Sequence, residues 1–128
     1  MKKIIFTLLF STLVFSSPSF AKWIEVGKTV KGDTFYVDLE RIRKHEGYVY
    51  YWMLNDLLKP QLGDLSIKYY RQVDCQLFRF KTLSYSFHKQ PMGDGTGEVL
   101  PSTGVQKNWN YPSPDSMNES TLKKVCSN

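Results

Sequence analysis

The sequence predicts an α+β fold, in which a body of β-strands is followed by a single C-terminal helix. Between residues 22 and 100, short runs rich in aromatic and β-branched residues alternate with Gly and Asp, which is typical of strands and turns. Near the C-terminus, Leu122, Val125 and Cys126 instead fall on one stripe of a helix. The other cysteine, Cys75, lies in a predicted strand. We therefore expect a disulfide between Cys75 and Cys126 that ties the helix to the sheet.

The first 21 residues have the composition of a secretory signal peptide. Two lysines precede an apolar run from Ile4 to Phe15, and Ser19-Phe20-Ala21 supplies the small residues that signal peptidase requires. The apolar run is too short to span a hydrocarbon core of about 30 Å. We expect cleavage after Ala21, no transmembrane anchor in the mature protein, and one domain over residues 22–128.

Export and charge narrow the classes of partner. The predicted location is the periplasm, with the cell surface and secretion left open, and these oxidising compartments favour a disulfide over free thiols. The chain has 17 Lys and Arg and 12 Asp and Glu, and two of the lysines leave with the signal peptide. The remaining basic excess is too small to favour a nucleic-acid partner.

The mature chain opens with a predicted β-hairpin. Its strands run from Trp23 to Gly27 and from Thr34 to Val37, with a turn at Gly32-Asp33. Asp38 then has the side chain to cap one helical turn in the charged connection that ends at Gly47.

The next predicted strand, Tyr48 to Leu54, is apolar or aromatic at every position. Alternation therefore does not identify its inward face. We favour burial inside the domain over a contact with another protein. Residues 55–64 are predicted to form a loop, with Pro60 and Gly63 as breakers.

A long run from Ile67 to Lys81 predicts the central strand. The alternation within it directs three side chains inward: Val73, Cys75 and Leu77. It breaks near residues 78–82, where we expect a bulge or a bend. The sequence thus predicts two strands, or one sharply bent strand, as far as about His88.

The C-terminal third is predicted to be mostly irregular before its helix. A loop at residues 91–97 leads to a brief strand at residues 98–100, and Trp109 and Tyr111 are expected to anchor the segment that follows. Ser116 then begins the helix, with Glu119 at capping-box spacing.

The sequence contains no motif that indicates catalysis. Its two histidines, His45 and His88, are interpreted as solvated surface residues, and G-x-S-x-G, H-E-x-x-H and C-x-x-C are all absent. We therefore predict a protein that is not an enzyme and that binds no metal and no cofactor.

Aromatic residues make up 15% of the chain, and the tyrosines are more than a core of this size needs. They are interleaved with cations such as Arg79 and Lys81. This pattern is compatible with a cationic, aromatic contact surface, because Tyr and Arg are favoured at interfaces. It is equally compatible with a half-solvated sheet that carries amphipathic side chains.

Short motifs are distributed along nearly the whole mature chain. In order they are Trp23-x-x-Val26, Tyr36-Val37-Asp38 with Ile42, Trp52-x-Leu54-x-Asp56, Ser66-x-Lys68, Asp74-Cys75, Met92-Gly93, Trp109, Pro114-Asp115-Ser116 and Val125-Cys126. In order and spacing they resemble the surface-adhesin protein E family of Gram-negative bacteria. The resemblance implies an antiparallel sheet of about six strands, curved around a C-terminal helix that a disulfide ties to its concave face.

The resemblance also implies a protein partner, namely host vitronectin, laminin or plasminogen. The implied vitronectin-binding region begins just after the first cysteine, which here means Gln76 to about Lys89. The candidate contact residues are Arg79, Lys81, Tyr85 and Lys89. The adhesin of this family is a lipoprotein, whereas no cysteine lies near the predicted cleavage site here, so we expect no lipid anchor.

Two functions follow as hypotheses. The first is an exported, non-catalytic binding module, adhesin-like in its contact with host proteins. The alternative is a periplasmic envelope protein, either a ligand carrier or a structural protein, with no host ligand. A pocket between sheet and helix with converging polar groups would favour the carrier. A homodimer is left open.

Overall fold

The computed structural model describes residues 21–128 and has one antiparallel sheet and one α-helix. The predicted signal peptide lies outside the described residues, apart from Ala21. The strands are β1 (Trp23–Lys28), β2 (Thr34–Asp38), β3 (Arg43–His45), β4 (Tyr48–Gln61), β5 (Asp64–Asp74), β6 (Arg79–His88) and β7 (Val99–Pro101), and the helix is α1 (Met117–Cys126). Single 3₁₀ turns lie at Leu39–Arg41, Pro91–Gly93 and Gly104–Lys107. The predicted α+β class is confirmed.

The strands follow the order β1-β2-β4-β5-β6-β7, so each pairs with a neighbour close in sequence. The short strand β3 was not predicted, and it pairs with β4 on the same edge as β2. Its residues are all exposed and two are Arg and Lys, so no apolar alternation marks it as a strand. Its pairing is fixed by a two-residue turn at Glu46-Gly47, where both φ angles are positive.

The predicted loop at residues 55–64 is wrong. Strand β4 continues to Gln61 and reverses at Leu62-Gly63, again with two positive φ angles. Pro60 is tolerated because the ladder between β4 and β5 is interrupted from Asp56 to Gln61, where no N–H of Pro60 is needed. The Pro and Gly therefore mark the tip of a long hairpin.

The long run around Cys75 forms two strands joined by a turn. Strand β5 ends at Asp74, whose Oδ1 accepts the backbone N–H groups of Gln76 and Leu77, both at 3.2 Å. This Asx turn interrupts the alternation, and Leu77, predicted to point inward, is 56% exposed. Val73 is fully buried, as predicted.

The predicted bulge is present, one residue beyond the expected window. Tyr70 pairs with Ser84 and Arg71 with Thr82, so Leu83 is the extra residue on β6. The bulge changes which residues of β6 share a face: Phe80 and Thr82 before it lie on the same face as Tyr85 after it.

Helix α1 covers one face of the curved sheet, called here the inner face. The core on this face combines strand and helix residues: Val37, Val49, Tyr51, Met53, Val73, Phe80, Leu122 and Val125. The opposite, outer face carries the alternate residues of the same strands. Burial of the Tyr48–Leu54 run is confirmed for Val49, Tyr51 and Met53 on the inner face and for Leu54 on the outer face. Tyr50 and Trp52 lie half-buried on the outer face.

Both ends of α1 are fixed as the sequence predicts. Ser116 Oγ accepts the N–H of Glu119 at 3.1 Å, which caps the first turn. Cys126, in the last turn, is bonded to Cys75 at the end of β5, with the two Cα atoms 5.7 Å apart. A ten-residue helix is marginal alone. Its apolar stripe and the disulfide together hold it against the concave face.

Removing the disulfide by the double substitution C75A and C126A is expected to lower the free energy of unfolding by about 4 kcal/mol. The bond joins positions 51 residues apart, and its loss frees that loop in the unfolded chain. Urea unfolding of residues 22–128 measures the change. Reductant should bring the wild-type protein to the same midpoint and leave the double variant unchanged. Equal midpoints for wild type and variant would contradict this account.

Candidate functional site

Half-buried aromatic rings lie on the outer face, and three of them pack together. Antiparallel pairing sets Trp52 beside Tyr70 and Tyr50 beside Gln72, because directly paired residues share a face. The Trp52 and Tyr70 ring centroids are 4.7 Å apart, and those of Tyr50 and Tyr70 are 6.1 Å apart. Gln72 Nε2 donates to Tyr50 Oη at 3.1 Å, which orients that ring.

Trp109 joins this cluster from the segment that precedes α1. Its neighbour Asn110 forms two backbone hydrogen bonds with Phe80 of β6, at 2.7 and 2.9 Å. This bridge brings the indole to the outer face, 5.5 Å from the ring of Tyr48. The predicted anchoring by Trp109 is confirmed, whereas Tyr111, expected to anchor the same segment, is 64% exposed.

Three cations lie on these rings. Arg79 Cζ is 4.5 Å and Lys81 Nζ is 4.6 Å from the Trp109 ring centroid, and Arg43 Cζ is 5.3 Å from that of Tyr50. Cations over aromatic faces at these distances are attracted by the ring quadrupole. We call this surface the outer patch, and its members are Tyr48, Tyr50, Trp52, Tyr70, Trp109, Arg43, Arg79 and Lys81.

The outer patch keeps a positive charge. Arg79 Nε lies 3.1 Å from Asp74 Oδ2. The N–H of Leu77 and, after it, the Arg79 side chain hold the pKa of Asp74 below its usual range, so this carboxylate offsets Arg79 at neutral pH. Lys81 and Arg43 have no carboxylate within 4.0 Å among residues 21–128.

The four candidate contact residues from the sequence occupy three places. Arg79 and Lys81 lie together in the outer patch. Tyr85 lies on the inner face, opposite Tyr69 and 5.5 Å from the ring of Phe87. Lys89 follows the end of β6, where its exposed Nζ pairs with Asp64 Oδ1 at 3.2 Å.

Sequence reasoning did not single out Trp109, Tyr50 or Trp52. Tyr50 was one of eight tyrosines considered for a contact surface, and Trp52 lay in a strand for which burial was favoured over an interface. Trp109 reaches the patch through a backbone bridge that leaves no pattern in the sequence. In β4 the residues on both faces are aromatic or apolar, so the periodicity that would separate Tyr50 from Tyr51 is absent.

The structure places the two histidines in different surroundings. His45 is exposed, as predicted, but His88 is 4% exposed and thus buried, which corrects its prediction as a solvated residue. The segment at residues 91–97 covers it, and Ser86 Oγ lies 2.8 Å from its Nε2. Within residues 21–128, no cluster of three or more His, Cys, Asp or Glu side chains is placed to hold a metal ion. The same residues contain no helix with the length and apolar character needed to cross a membrane.

Comparisons with known proteins agree on one family. A sequence profile of the family described as Surface-adhesin protein E matches residues 23–127. No curated protein sequence matches the chain. Crystal form II of Haemophilus influenzae protein E superposes with a TM-score of 0.64 at 17% identity, over 84% of this chain and 89% of that chain.

Two further solved structures give the same result. The selenomethionine form of Haemophilus influenzae protein E has a TM-score of 0.64 at 17% identity, over 85% of this chain and 88% of that chain. Protein E from non-typeable Haemophilus influenzae has a TM-score of 0.60 at 17% identity, over 88% and 80% of the two chains. At this identity the structural likeness establishes the fold.

Burial of His88 predicts a stability that depends on pH. Burial, and after it the charge of Lys68, lowers the pKa of His88 below its ordinary value of 6.5, although Asp64 and the backbone of Gly95 and Asp94 act in the opposite direction. Between the lowered pKa of His88 in the folded chain and its ordinary value in the unfolded chain, the unfolded chain binds more protons than the folded one. The contribution of neutral His88 to the free energy of unfolding is therefore full above pH 6.5 and decreases as the pH falls below that value.

Urea unfolding at pH 7.5 and at pH 5.5 should therefore show a lower free energy of unfolding at pH 5.5. His88→Gln should reduce this difference, whereas His45→Gln, at an exposed position, should leave it intact. A difference that survives His88→Gln unchanged would assign the pH dependence to other groups.

Proposed function

This chain belongs to the surface-adhesin protein E family, and from that premise we propose that it is an exported, non-catalytic binding protein whose outer patch contacts a host protein. Adhesins as a class bind other macromolecules, and the family match covers nearly all of the mature chain. The proposal assigns the contact to the patch rather than to the whole segment from Gln76 to Lys89.

The observation that carries this proposal is a set of five half-buried rings, two of which lie under cations: Trp109 under Arg79 and Lys81, and Tyr50 under Arg43. Aromatic residues and Arg are enriched in the cores of protein interfaces, and they supply most of the residues whose truncation weakens binding. The rings are also held in place by one another and by Gln72, so little side-chain freedom would be lost on binding.

The partner we propose is a host matrix or serum protein of the group that the family resemblance indicates: vitronectin, laminin or plasminogen. Lys81 and Arg43 carry charge that no carboxylate offsets among the described residues, so acidic segments of such proteins fit the patch best. This function requires that the protein reach the cell surface or the medium after export to the periplasm.

A ligand carrier in the periplasm is the second candidate function. It is favoured by a cavity of about 300 Å³ between the sheet and the N-terminal end of α1. This size is at the lower limit of small-molecule sites.

Substitutions in the outer patch are expected to weaken binding to the host protein. Trp109→Ala removes the ring on which two cations stack, and Arg79→Glu and Lys81→Glu reverse the charge. Each should raise the Kd for immobilised vitronectin, laminin or plasminogen by about tenfold or more. Surface plasmon resonance with residues 22–128 measures the affinity, and urea unfolding confirms that each variant is folded.

Tyr85→Ala and Lys89→Glu distinguish the outer patch from the segment predicted by sequence. If the patch alone makes the contact, both variants bind like wild type, because Tyr85 lies on the other face and Lys89 at the strand end. Weakening by Arg79→Glu, Lys81→Glu, Tyr85→Ala and Lys89→Glu alike would instead support the whole segment. Unchanged binding by Trp109→Ala, Arg79→Glu and Lys81→Glu would remove the patch from the site. If the patch instead binds a second copy of this chain, light scattering will show a dimer that Arg79→Glu dissociates.

Location provides an independent test. An adhesin must be accessible on intact cells, so antibody against residues 22–128 should label unpermeabilised cells or detect the protein in the medium. A periplasmic maltose-binding protein serves as the control that must stay unlabelled. Recovery of this protein from the periplasmic fraction alone would contradict the adhesin role and favour the carrier.

A further inference from the structure

A buried arginine lies beneath the start of α1. Arg71 is in β5, paired with Tyr51 of β4 and Thr82 of β6 on the inner face, and it is 9% exposed. Its Nε donates to Thr82 Oγ1 at 3.2 Å. Its Nη1 donates to Asn118 Oδ1 at 2.9 Å and lies near Met53 Sδ at 3.2 Å and Tyr51 Oη at 3.5 Å.

None of these acceptors carries a charge. Among residues 21–128, no carboxylate lies within 4.0 Å of the Arg71 guanidinium. Tyr69, whose ring is 5.3 Å from Arg71 Cζ, does not supply an anion. Burial raises the pKa of Tyr69 above its ordinary value, although Arg71 and a hydrogen bond with Asn55 act against this rise, so the hydroxyl is neutral at pH 7. A buried guanidinium without an anion is costly, because neutral dipoles replace its hydration only in part.

The charge of Arg71 faces the cavity between sheet and helix. The cavity has a volume of about 300 Å³, and Arg71 is the one charged residue among those that line it in the described part of the chain. The hydrogen bonds of Arg71 leave from Nε and Nη1, and within residues 21–128 no acceptor is bonded to Nη2. The guanidinium thus has an edge left for a ligand.

The walls of the cavity favour a particular class of anion. Tyr69, Phe80 and Pro112 present apolar surface, while Gln106 and Ser113 supply neutral polar groups near the opening. A single positive charge matches a monoanion, and a phosphate dianion would require further cationic or N–H donors. Planar carboxylates fit the fork of a guanidinium, and an attached apolar group would cover the aromatic walls.

We propose that this cavity binds an organic monocarboxylate, with the carboxylate on Arg71 and its apolar part against Tyr69 and Phe80. The ligand is either a free carboxylic acid or the C-terminal carboxylate of a peptide with an apolar last residue. This site lies on the inner face, so it is separate from the outer patch.

The test uses residues 22–128 with the disulfide intact, and two pairs of probes. The first pair is 3-phenylpropanoate and its neutral amide, and the second is N-acetyl-Gly-Phe with a free and with an amidated C-terminus. Titrations followed by ¹H–¹⁵N NMR should show saturable shifts at Arg71 Nε–H and at the amides of Thr82 and Asn118. The Kd of each acid should be lower than that of its amide by about tenfold or more, since the charge-assisted hydrogen bonds are lost in the amide. Inorganic phosphate should bind more weakly than either acid.

Arg71→Met should abolish the preference for acid over amide. Lys107→Met, which removes a charge from an exposed residue outside the lining of the cavity, is the matched control and should bind like wild type. If Arg71→Met fails to fold, Gln106→Trp narrows the cavity at an exposed position without changing Arg71, and it should weaken both acids.

Binding of the small acid alone would indicate a free carboxylic acid as ligand, and binding of both acids would indicate that a peptide C-terminus is also accepted. Equal affinity of acid and amide, tighter binding of phosphate, or shifts confined to the outer face would each overturn the proposal. Trp109→Ala and Arg79→Glu should leave the carboxylate affinity unchanged, so failure of this site and failure of the outer patch are separate results.

Discussion

The attachment of α1 to the end of β5 determines what each face of the sheet can do. The disulfide between Cys75 and Cys126 joins the last turn of the helix to the turn between β5 and β6, and the cap at Ser116 fixes its first turn. Between these points the helix buries the inner face with Leu122 and Val125. The aromatic residues of the outer face are not covered by the helix. This one attachment has two consequences. It leaves the cationic outer patch open on one side of the sheet and encloses Arg71 on the other.

Strands β5 and β6 carry both chemistries because alternate residues point to opposite faces. Arg71 faces the helix, whereas its neighbours Tyr70 and Gln72 belong to the outer side. On β6 the bulge at Leu83 changes which residues face inward. Phe80 and Thr82 before the bulge share the inner face with Tyr85 after it. Without the extra residue, Tyr85 would lie on the same side as Arg79 and Lys81, with which the family resemblance grouped it.

Local patterns in the sequence were sufficient for the elements that depend on local chemistry. The first hairpin, the helical turn capped by Asp38, the helix beginning at Ser116 and the disulfide are all present. Prediction failed for Pro60, because the neighbouring ladder of β4, formed with residues distant in sequence, is open there. It failed for Leu77 for a local reason, because the Asx turn at Asp74 replaces the strand without any change in the apolar alternation. The outer patch was predicted in part, since only pairing and the bridge at Asn110 bring Trp109 to Arg79 and Lys81.

Asp74 connects the two faces. Its Oδ1 accepts the N–H groups of Gln76 and Leu77 and so shapes the turn from which Cys75 reaches the helix. Its Oδ2 accepts from Arg79 Nε and so holds that guanidinium over the ring of Trp109. One carboxylate thus shapes the turn that carries Cys75 and also fixes the position of a cation in the proposed contact surface. Because these hydrogen bonds hold its pKa low, the carboxylate stays ionised at the pH of the cell envelope, and the geometry of the patch is coupled to that of the turn.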